Sequence, residues 1–149
     1  MRSLLAIAIS LWLGAMAFFA FFVAPAAFHT LEREAAGRFV SVVFPRYYAL
    51  GTALGVVALL ACVGRGITAS WPVADWLSVG LVLLMVALTL YAWVVLLPAA
   101  HAAREAMHTA AGSAEALRFA RLHRLSSMLN VVVMIAGVVL LAMEVGRRP

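Results

Sequence analysis

Long apolar runs separated by short polar stretches form the hydrophobic pattern of this chain. Four runs carry no formal charge, at residues 4–23, 47–64, 76–97 and 125–143. Each is long enough to cross about 30 Å of hydrocarbon, which takes about 20 residues of helix. The pattern therefore predicts an all-α membrane protein, in which four transmembrane helices form one bundle and one domain over residues 1–149.

The first run follows only Met1, Arg2 and Ser3, and it can also be interpreted as a secretory signal that is cleaved near Ala24 or Ala26. The apolar core of such a signal has only about 7 to 15 residues, fewer than this run contains. We therefore expect the first run to be retained as a membrane-spanning helix.

The two longer connections keep a helical period of their own. In the first, a set of apolar residues recurs every three or four positions between charged residues: Phe28, Leu31, Ala35, Phe39 and Val42. This spacing predicts an amphipathic interfacial helix between spans 1 and 2, capped by Thr30 and broken at Pro45. The second connection predicts helices that extend spans 3 and 4, with a kink at Pro98, an end at Gly112 and a new start at Ser113.

The composition supports a bilayer location, because 66% of the residues are hydrophobic and only 11% are charged. All eleven basic residues are arginines scattered among the membrane ends, so the net charge of +5 favours lipid headgroups over nucleic acid as partner. Seven arginines belong to the two longer connections and four to the side of the termini. The positive-inside rule therefore predicts a bacterial inner-membrane protein with the longer connections in the cytoplasm and both termini outside.

Several catalytic templates are absent from the sequence. Cys62 is the one cysteine, and no CxxC, glycine-rich phosphate loop or serine nucleophile elbow occurs. No acidic residue lies within a span, and Asp75 and Glu144 are expected to be boundary residues at the membrane interface. We assign no catalytic residue and favour a non-enzymatic protein.

Small residues on span 2 predict close helix packing. Gly51 and Gly55 form a small-xxx-small pair that Ala58 and Cys62 continue at helical spacing. The stripe is expected to pack against a neighbouring helix of the same chain, and homo-oligomerisation through it is the alternative. Together with Pro45 and Pro98, which shape their helices, the two glycines are the predicted packing residues.

The last span begins with an unusually polar face. His123, Ser126, Ser127 and Asn130 recur at helical intervals, and Arg121 and Arg124 lie beside them. Such a face should point into the bundle and not at lipid. One interpretation is interhelical hydrogen bonding, and the other is a pocket in which these six residues bind a ligand.

The histidines are the strongest indication of chemistry. His29, His101, His108 and His123 all fall in the longer connections, and therefore on one side of the membrane. They are candidate ligands for copper or haem, although no HExxH motif occurs and tertiary folding would have to bring them together.

A family resemblance is carried by three segments of the chain: LWLGAMAFFAFFVAPAAFHTL, GRFVSVVFPRYYALG and RFARLHRLSSMLNVVVMIAGVVLLAME. They resemble the four-helix membrane proteins of the transmembrane protein 205 type, whose bacterial members form a domain of unknown function. The layout is also distantly similar to copper-resistance D-type domains and to haem-binding protoporphyrinogen oxidases, although the chain lacks lysine and a histidine in span 1. The matching residues are Gly14, Pro25, Phe28, Phe44, Pro45, Pro98, His123, Ser126, Ser127 and Asn130.

The resemblance implies the four-helix fold and a role in stress, drug or metal tolerance. Three hypotheses follow from the sequence. The chain binds a small ligand, lipid or partner at the pocket rich in histidine and arginine; or it is a haem- or copper-binding redox protein; or it is a structural subunit or homo-oligomer.

Overall fold

The computed structural model describes residues 2–68, 72–109 and 113–146. These residues form six α-helices, and two π-helical turns join α1 to α2 and α4 to α5. The helices are α1 (Arg2–Phe18), α2 (Ala24–Thr30), α3 (Arg33–Thr68), α4 (Val73–Tyr91), α5 (Leu97–Thr109) and α6 (Ser113–Gly146), and the π-helical turns are Phe19–Val23 and Ala92–Leu96.

Within the described ranges, four segments are long and apolar enough to span a membrane: Arg2–Thr30, Arg33–Arg65, Val73–Met107 and Ala114–Gly146. The last three contain 33, 35 and 33 residues. At about 1.5 Å per residue they reach about 50 Å, which exceeds a hydrocarbon core of roughly 30 Å. The all-α bundle of four transmembrane helices is confirmed, and its helices extend beyond the bilayer on the side of the longer connections.

The amphipathic segment between spans 1 and 2 is the beginning of α3 and not a separate helix. Leu31 ends α2 in an extended backbone conformation, and α3 then runs from Arg33 through Pro45 without a break. The predicted break at Pro45 is wrong. A proline removes one backbone N–H, and nearby side chains can compensate in a membrane helix. The carbonyl that loses its helical partner is that of Ser41, four residues before Pro45, and α3 continues through this position.

The predicted cap at Thr30 is also wrong. Thr30 is the last residue of α2, and its hydroxyl donates to the carbonyl oxygen of Ala26 at 2.7 Å. A threonine hydroxyl can bond back to the preceding turn as readily as forward to a following one, so sequence spacing did not decide between the two.

Each π-helical turn ends two residues before a proline, Pro25 in the first case and Pro98 in the second. The N–H of Ala24 bonds to the carbonyl of Phe19, and the N–H of Leu97 bonds to the carbonyl of Ala92, which is one residue farther back than in an α-helix. A proline ring clashes with the carbonyl four residues earlier, and a wider turn relieves that clash. The irregularity expected at Pro98 therefore lies one turn earlier.

The ends of the next helices follow the prediction where they are described. Helix α5 continues past Pro98 to Thr109, and α6 begins at Ser113 and runs into the fourth span. Gly112, predicted to end α5, lies outside the described residues.

Small side chains close the half of the bundle that is nearer to the termini. Helix α1 packs on α3 and α6, and α4 packs on the same two helices. A Cβ added to Gly51 would lie 2.7 Å from Trp12 Nε1, and one added to Gly55 would lie 2.5 Å from Val86 Cγ2. The glycine stripe therefore contacts α1 and α4 of its own chain, and Cys62 lies in the same buried core.

A buried ion-pair cluster lies at this closed end. Arg65 Nη2 is 3.0 Å from Asp75 Oδ1, and Arg65 Nη1 donates to Glu144 Oε2 at 2.8 Å. Ser78 donates to the other oxygen of Glu144 at 3.1 Å. Asp75 and Glu144 lie near helix ends and are buried between helices, where opposite charge and hydrogen bonds offset the cost of burying them.

Candidate functional site

A cavity of about 390 Å³ lies in the other half of the bundle, toward the longer connections. Residues of α1, α2, α3, α5, α6 and both π-helical turns line it. Its volume falls within the roughly 300–1,000 Å³ typical of small-molecule sites. π-Helical turns are frequent at functional sites, and here both border one cavity.

Aromatic rings form much of the cavity wall. Phe19 from the first π-helical turn contacts two rings of α3, with centroids 5.3 Å from both Phe44 and Tyr47. Phe44 also stacks on Tyr48 at 5.7 Å. These separations are within the preferred range for aromatic pairs, so the rings form a fixed apolar surface.

Polar groups from α3 and α6 meet at the deeper part of the cavity. The Tyr47 hydroxyl donates to Asn130 Oδ1 at 2.9 Å, and the hydroxyl oxygens of Tyr48 and Ser126 are 3.0 Å apart. Asn130 Nδ2 donates to the carbonyl oxygen of Ser126 at 3.1 Å. On the polar face predicted for the last span, Ser126 and Asn130 make interhelical hydrogen bonds, and His123 and Ser127 are exposed; all four residues line the cavity.

A cationic group lies at the outer part of the cavity. Arg104 of α5 reaches across to the first turns of α3, where Nη1 donates to Ser41 Oγ at 3.0 Å and Nη2 donates to the carbonyl oxygen of Glu34 at 3.1 Å. Gly37 makes this approach possible, because a Cβ at that position would overlap the guanidinium. Both acceptors are neutral, so these bonds leave the positive charge of Arg104 uncompensated.

Two histidines line the same cavity as Arg104. His101 is half-buried, and its Nε2 atom is buried without a hydrogen-bond partner in the described structure. His123 is exposed and stacks on Phe119 with ring centroids 6.1 Å apart. His29 is exposed on α2 and is not among the lining residues, and the side chain of His108 lies outside what the structure describes.

Among the described residues, no group of three or more His, Cys, Asp or Glu side chains lies close enough together to hold a metal ion. The metal site at the four histidines stays a prediction, since the described side chains do not include all four.

The predicted pocket residues divide into two groups. His123, Ser126, Ser127 and Asn130 line the cavity, and the hydroxyl of Ser127 donates to the carbonyl oxygen of His123 at 2.9 Å. Arg121 lies in a separate surface cleft, and Arg124 is exposed and not among the cavity-lining residues.

The sequence analysis missed Tyr47, Tyr48, Ser41 and the role of Arg104. A signal for the tyrosines was available, because a buried phenol hydroxyl within a span needs a polar partner and Asn130 and Ser126 are the polar groups of span 4. No such signal existed for Arg104. Its contacts with Ser41 and Glu34 depend on where the extension of α5 crosses α3.

Comparison with known protein families matches residues 7–109 to a family described as Domain of unknown function (DUF4149). The match covers more than half of the chain. This chain belongs to that family. The matched part begins within α1 and includes α2 to α5, with Tyr47, His101 and Arg104, and it ends before α6 begins.

A relative in Aquifex aeolicus (strain VF5), an uncharacterized protein, is 47% identical over 60 residues. The alignment covers 40% of this chain and 46% of that relative, so the chain spans less than half of the relative's length. No solved structure matches the chain.

Proposed function

We propose that this membrane protein is a non-enzymatic binding protein that holds a small, largely apolar molecule in the cavity. One observation carries the proposal: polar side chains of α3, α5 and α6 converge on a single aromatic-lined cavity of ligand size. A mostly apolar pocket with a few convergent polar groups is the usual architecture of small-molecule sites.

The buried Nε2 of His101 supports the same proposal. A buried polar atom without a partner costs about 1–3 kcal/mol, and a hydrogen bond from a bound molecule would recover that free energy. His101 lines the cavity, so a ligand there can supply the partner.

The test fills the cavity with a side chain. Ala100 and Ala102 lie on the same helix, and Ala100 lines the cavity whereas Ala102 is exposed and does not line it. Purified protein is incubated with oleate and with monoolein, and bound molecules are counted by native mass spectrometry. We expect Ala100→Trp to lose both adducts and Ala102→Trp to keep those of the wild type. Wild-type protein that binds neither probe, or equal binding by the two variants, contradicts the proposal.

A metal- or haem-binding role is the second candidate, favoured by the presence of His101 and His123 on one cavity. Protein purified without a histidine tag should then show a Soret band, or copper near one equivalent by elemental analysis. The variant His101→Ala/His123→Ala should lose the signal and His29→Ala should keep it. Equal metal and haem content in all three proteins contradicts this candidate.

The remaining inferences rest on the sequence alone. A role in stress, drug or metal tolerance depends on the resemblance to transmembrane protein 205 and copper-resistance D-type proteins, and the inner-membrane orientation depends on the arginine distribution; both stay predictions. Homo-oligomerisation through Gly51 and Gly55 also stays a prediction. Trp12 and Val86 of the same chain lie against these glycines, so a second copy would have to displace them.

A further inference from the structure

We infer that the bound molecule is an anionic amphiphile dissolved in the membrane, which enters between α2 and α6 and places its anionic group against Arg104. This inference rests on the proposed function and names the ligand class and the entry route. Three features support it: the seam between helices through which the cavity is exposed, the charge of Arg104, and the order in which polar and apolar residues line the cavity from the membrane surface inward.

The seam lies between the segment from the first π-helical turn to α2 on one side and α6 on the other. Phe28 is 53% exposed and Val131 is 51% exposed, and both line the cavity. Nearer to the termini, α1, which precedes the first π-helical turn, packs closely on α6, since a Cβ on Gly137 of α6 would lie 2.8 Å from Leu13 Cδ2 of α1. The cavity is therefore closed on the side nearer to the termini and exposed at the seam.

This seam faces the bilayer. Val131 follows Asn130 and begins the uninterrupted apolar part of the fourth span, so we expect its exposed side chain to contact lipid. On the opposite side of the seam, the exposed rings of Phe21 and Phe22 belong to the first span. A molecule that reaches the cavity through this seam comes from the lipid phase.

Arg104 determines the charge of the ligand. An arginine stays protonated in proteins, so its half-buried guanidinium carries a full positive charge. Its hydrogen bonds go to the Ser41 hydroxyl and a backbone carbonyl, while the nearby Glu34 carboxylate accepts from Arg38. No carboxylate in the described residues pairs with Arg104, so a ligand anion would be its counter-ion.

The order of groups along the cavity matches an amphiphile. Arg104 and His101 lie on α5 after the charge-free run 76–97, whereas Met16 and Met134 line the cavity within the charge-free runs 4–23 and 125–143. An anionic group beside Arg104 would lie near the membrane surface, and an apolar tail would extend toward the bundle centre, as amphiphiles are oriented in a bilayer.

The first experiment compares two probes with the same acyl chain. Oleate has a carboxylate, and monoolein has a neutral glycerol ester. By native mass spectrometry we expect the wild type to bind oleate about tenfold more tightly, because charge-assisted hydrogen bonds are roughly twice as strong as neutral ones. Arg104→Gln should abolish this preference while monoolein still binds. Arg104→Lys, which keeps the charge, and Arg124→Gln, on an exposed residue outside the cavity lining, should keep the preference.

The outcomes separate this inference from the proposed function. Equal affinity of the wild type for oleate and monoolein overturns the anion assignment and leaves small-molecule binding intact. A preference for oleate that survives in Arg104→Gln also overturns it. Failure of both probes to bind the wild type contradicts the proposed function itself.

A second experiment tests the entry route. Val131 and Val132 are neighbours on α6 with 51% and 44% exposure, and only Val131 lines the cavity. In protein reconstituted into phosphatidylcholine nanodiscs, Val131→Trp should slow the uptake of oleate from the bilayer, and Val132→Trp should leave it at the wild-type rate. Equal uptake rates in the two variants overturn entry through the seam.

Discussion

At the residue scale, glycines in these helices have different roles because their surroundings differ. A Cβ on Gly55 would lie 2.5 Å from Val86 Cγ2 and 2.9 Å from a ring carbon of Trp12, so a larger residue would have to displace a packed ring. Gly80 has nothing within 4 Å of the same added atom. The structure thus separates a glycine needed for close packing from one that only lowers helix propensity.

We expect Gly55→Ala to lower the free energy of unfolding by about 1–3 kcal/mol through overpacking. Gly80→Ala should raise it by up to about 1 kcal/mol, because alanine is the better helix former. Thermal unfolding of both variants in the same detergent measures the difference. A Gly55→Ala protein as stable as Gly80→Ala would show that α1, α3 and α4 are not packed as described.

Asn130 has both a structural and a binding role in this account. Asn130→Leu should leave a folded bundle, because the loss of one interhelical hydrogen bond costs about 0.6–2 kcal/mol. In a double-mutant cycle with Tyr47→Phe, the coupling free energy should be of that size, since the two side chains form a hydrogen bond of 2.9 Å.

The same Asn130→Leu protein should lose oleate and monoolein adducts. Normal adducts in a folded variant would move the binding site away from the deep end of the cavity.

At the element scale, the four spans could be predicted because length and charge alone identify them, and the direction of the polar face on span 4 followed from the cost of exposing it to lipid. Proline effects were less predictable. Pro45 lies inside a continuous helix, whereas Pro25 and Pro98 each follow a π-helical turn. A proline in the sequence shows only that one backbone hydrogen bond is lost. Whether the helix breaks, widens over one turn or continues depends on the contacts with neighbouring helices.

A π-helical turn contains one extra residue, so a single deletion inside it should restore an α-helix and keep the following segment in register. Deletion of Val94, which is 66% exposed in the second π-helical turn, should therefore leave a folded protein with α5 in place. Deletion of Leu84, which is 44% exposed in regular α4, should rotate everything after it by about 100° and separate Arg104 from Ser41. Folded yield and thermal stability in detergent compare the two deletions, and a Val94 deletion as damaging as the Leu84 deletion contradicts this view of the turn.

At the scale of the whole molecule, the two ends of the bundle differ in whether the charge of an arginine is paired with a carboxylate. At the closed end, Arg65 forms ion pairs with both Asp75 and Glu144, and the three side chains come from three helices. At the other end, the hydrogen-bond acceptors of Arg104 among the described residues are neutral, and the guanidinium lies beside a cavity. The sequence placed each charge near a membrane end, but it could not distinguish a paired charge from an uncompensated one, because pairing depends on which helices are neighbours.

This difference predicts that removing the charge of Arg65 destabilises the protein much more than removing the charge of Arg104. Arg65→Met leaves two buried carboxylates without their arginine, and breaking a buried pair in this way costs about 3–5 kcal/mol. The triple variant Arg65→Met/Asp75→Asn/Glu144→Gln removes the charges together and should recover most of that stability. Arg104→Gln leaves no buried carboxylate behind, so it should lower the unfolding temperature far less than Arg65→Met. Thermal unfolding of the three variants in one detergent decides the matter. An Arg104→Gln protein as unstable as Arg65→Met would mean that Arg104 is required for the fold. A stable Arg104→Gln protein that has lost the preference for oleate would mean that Arg104 acts in ligand binding.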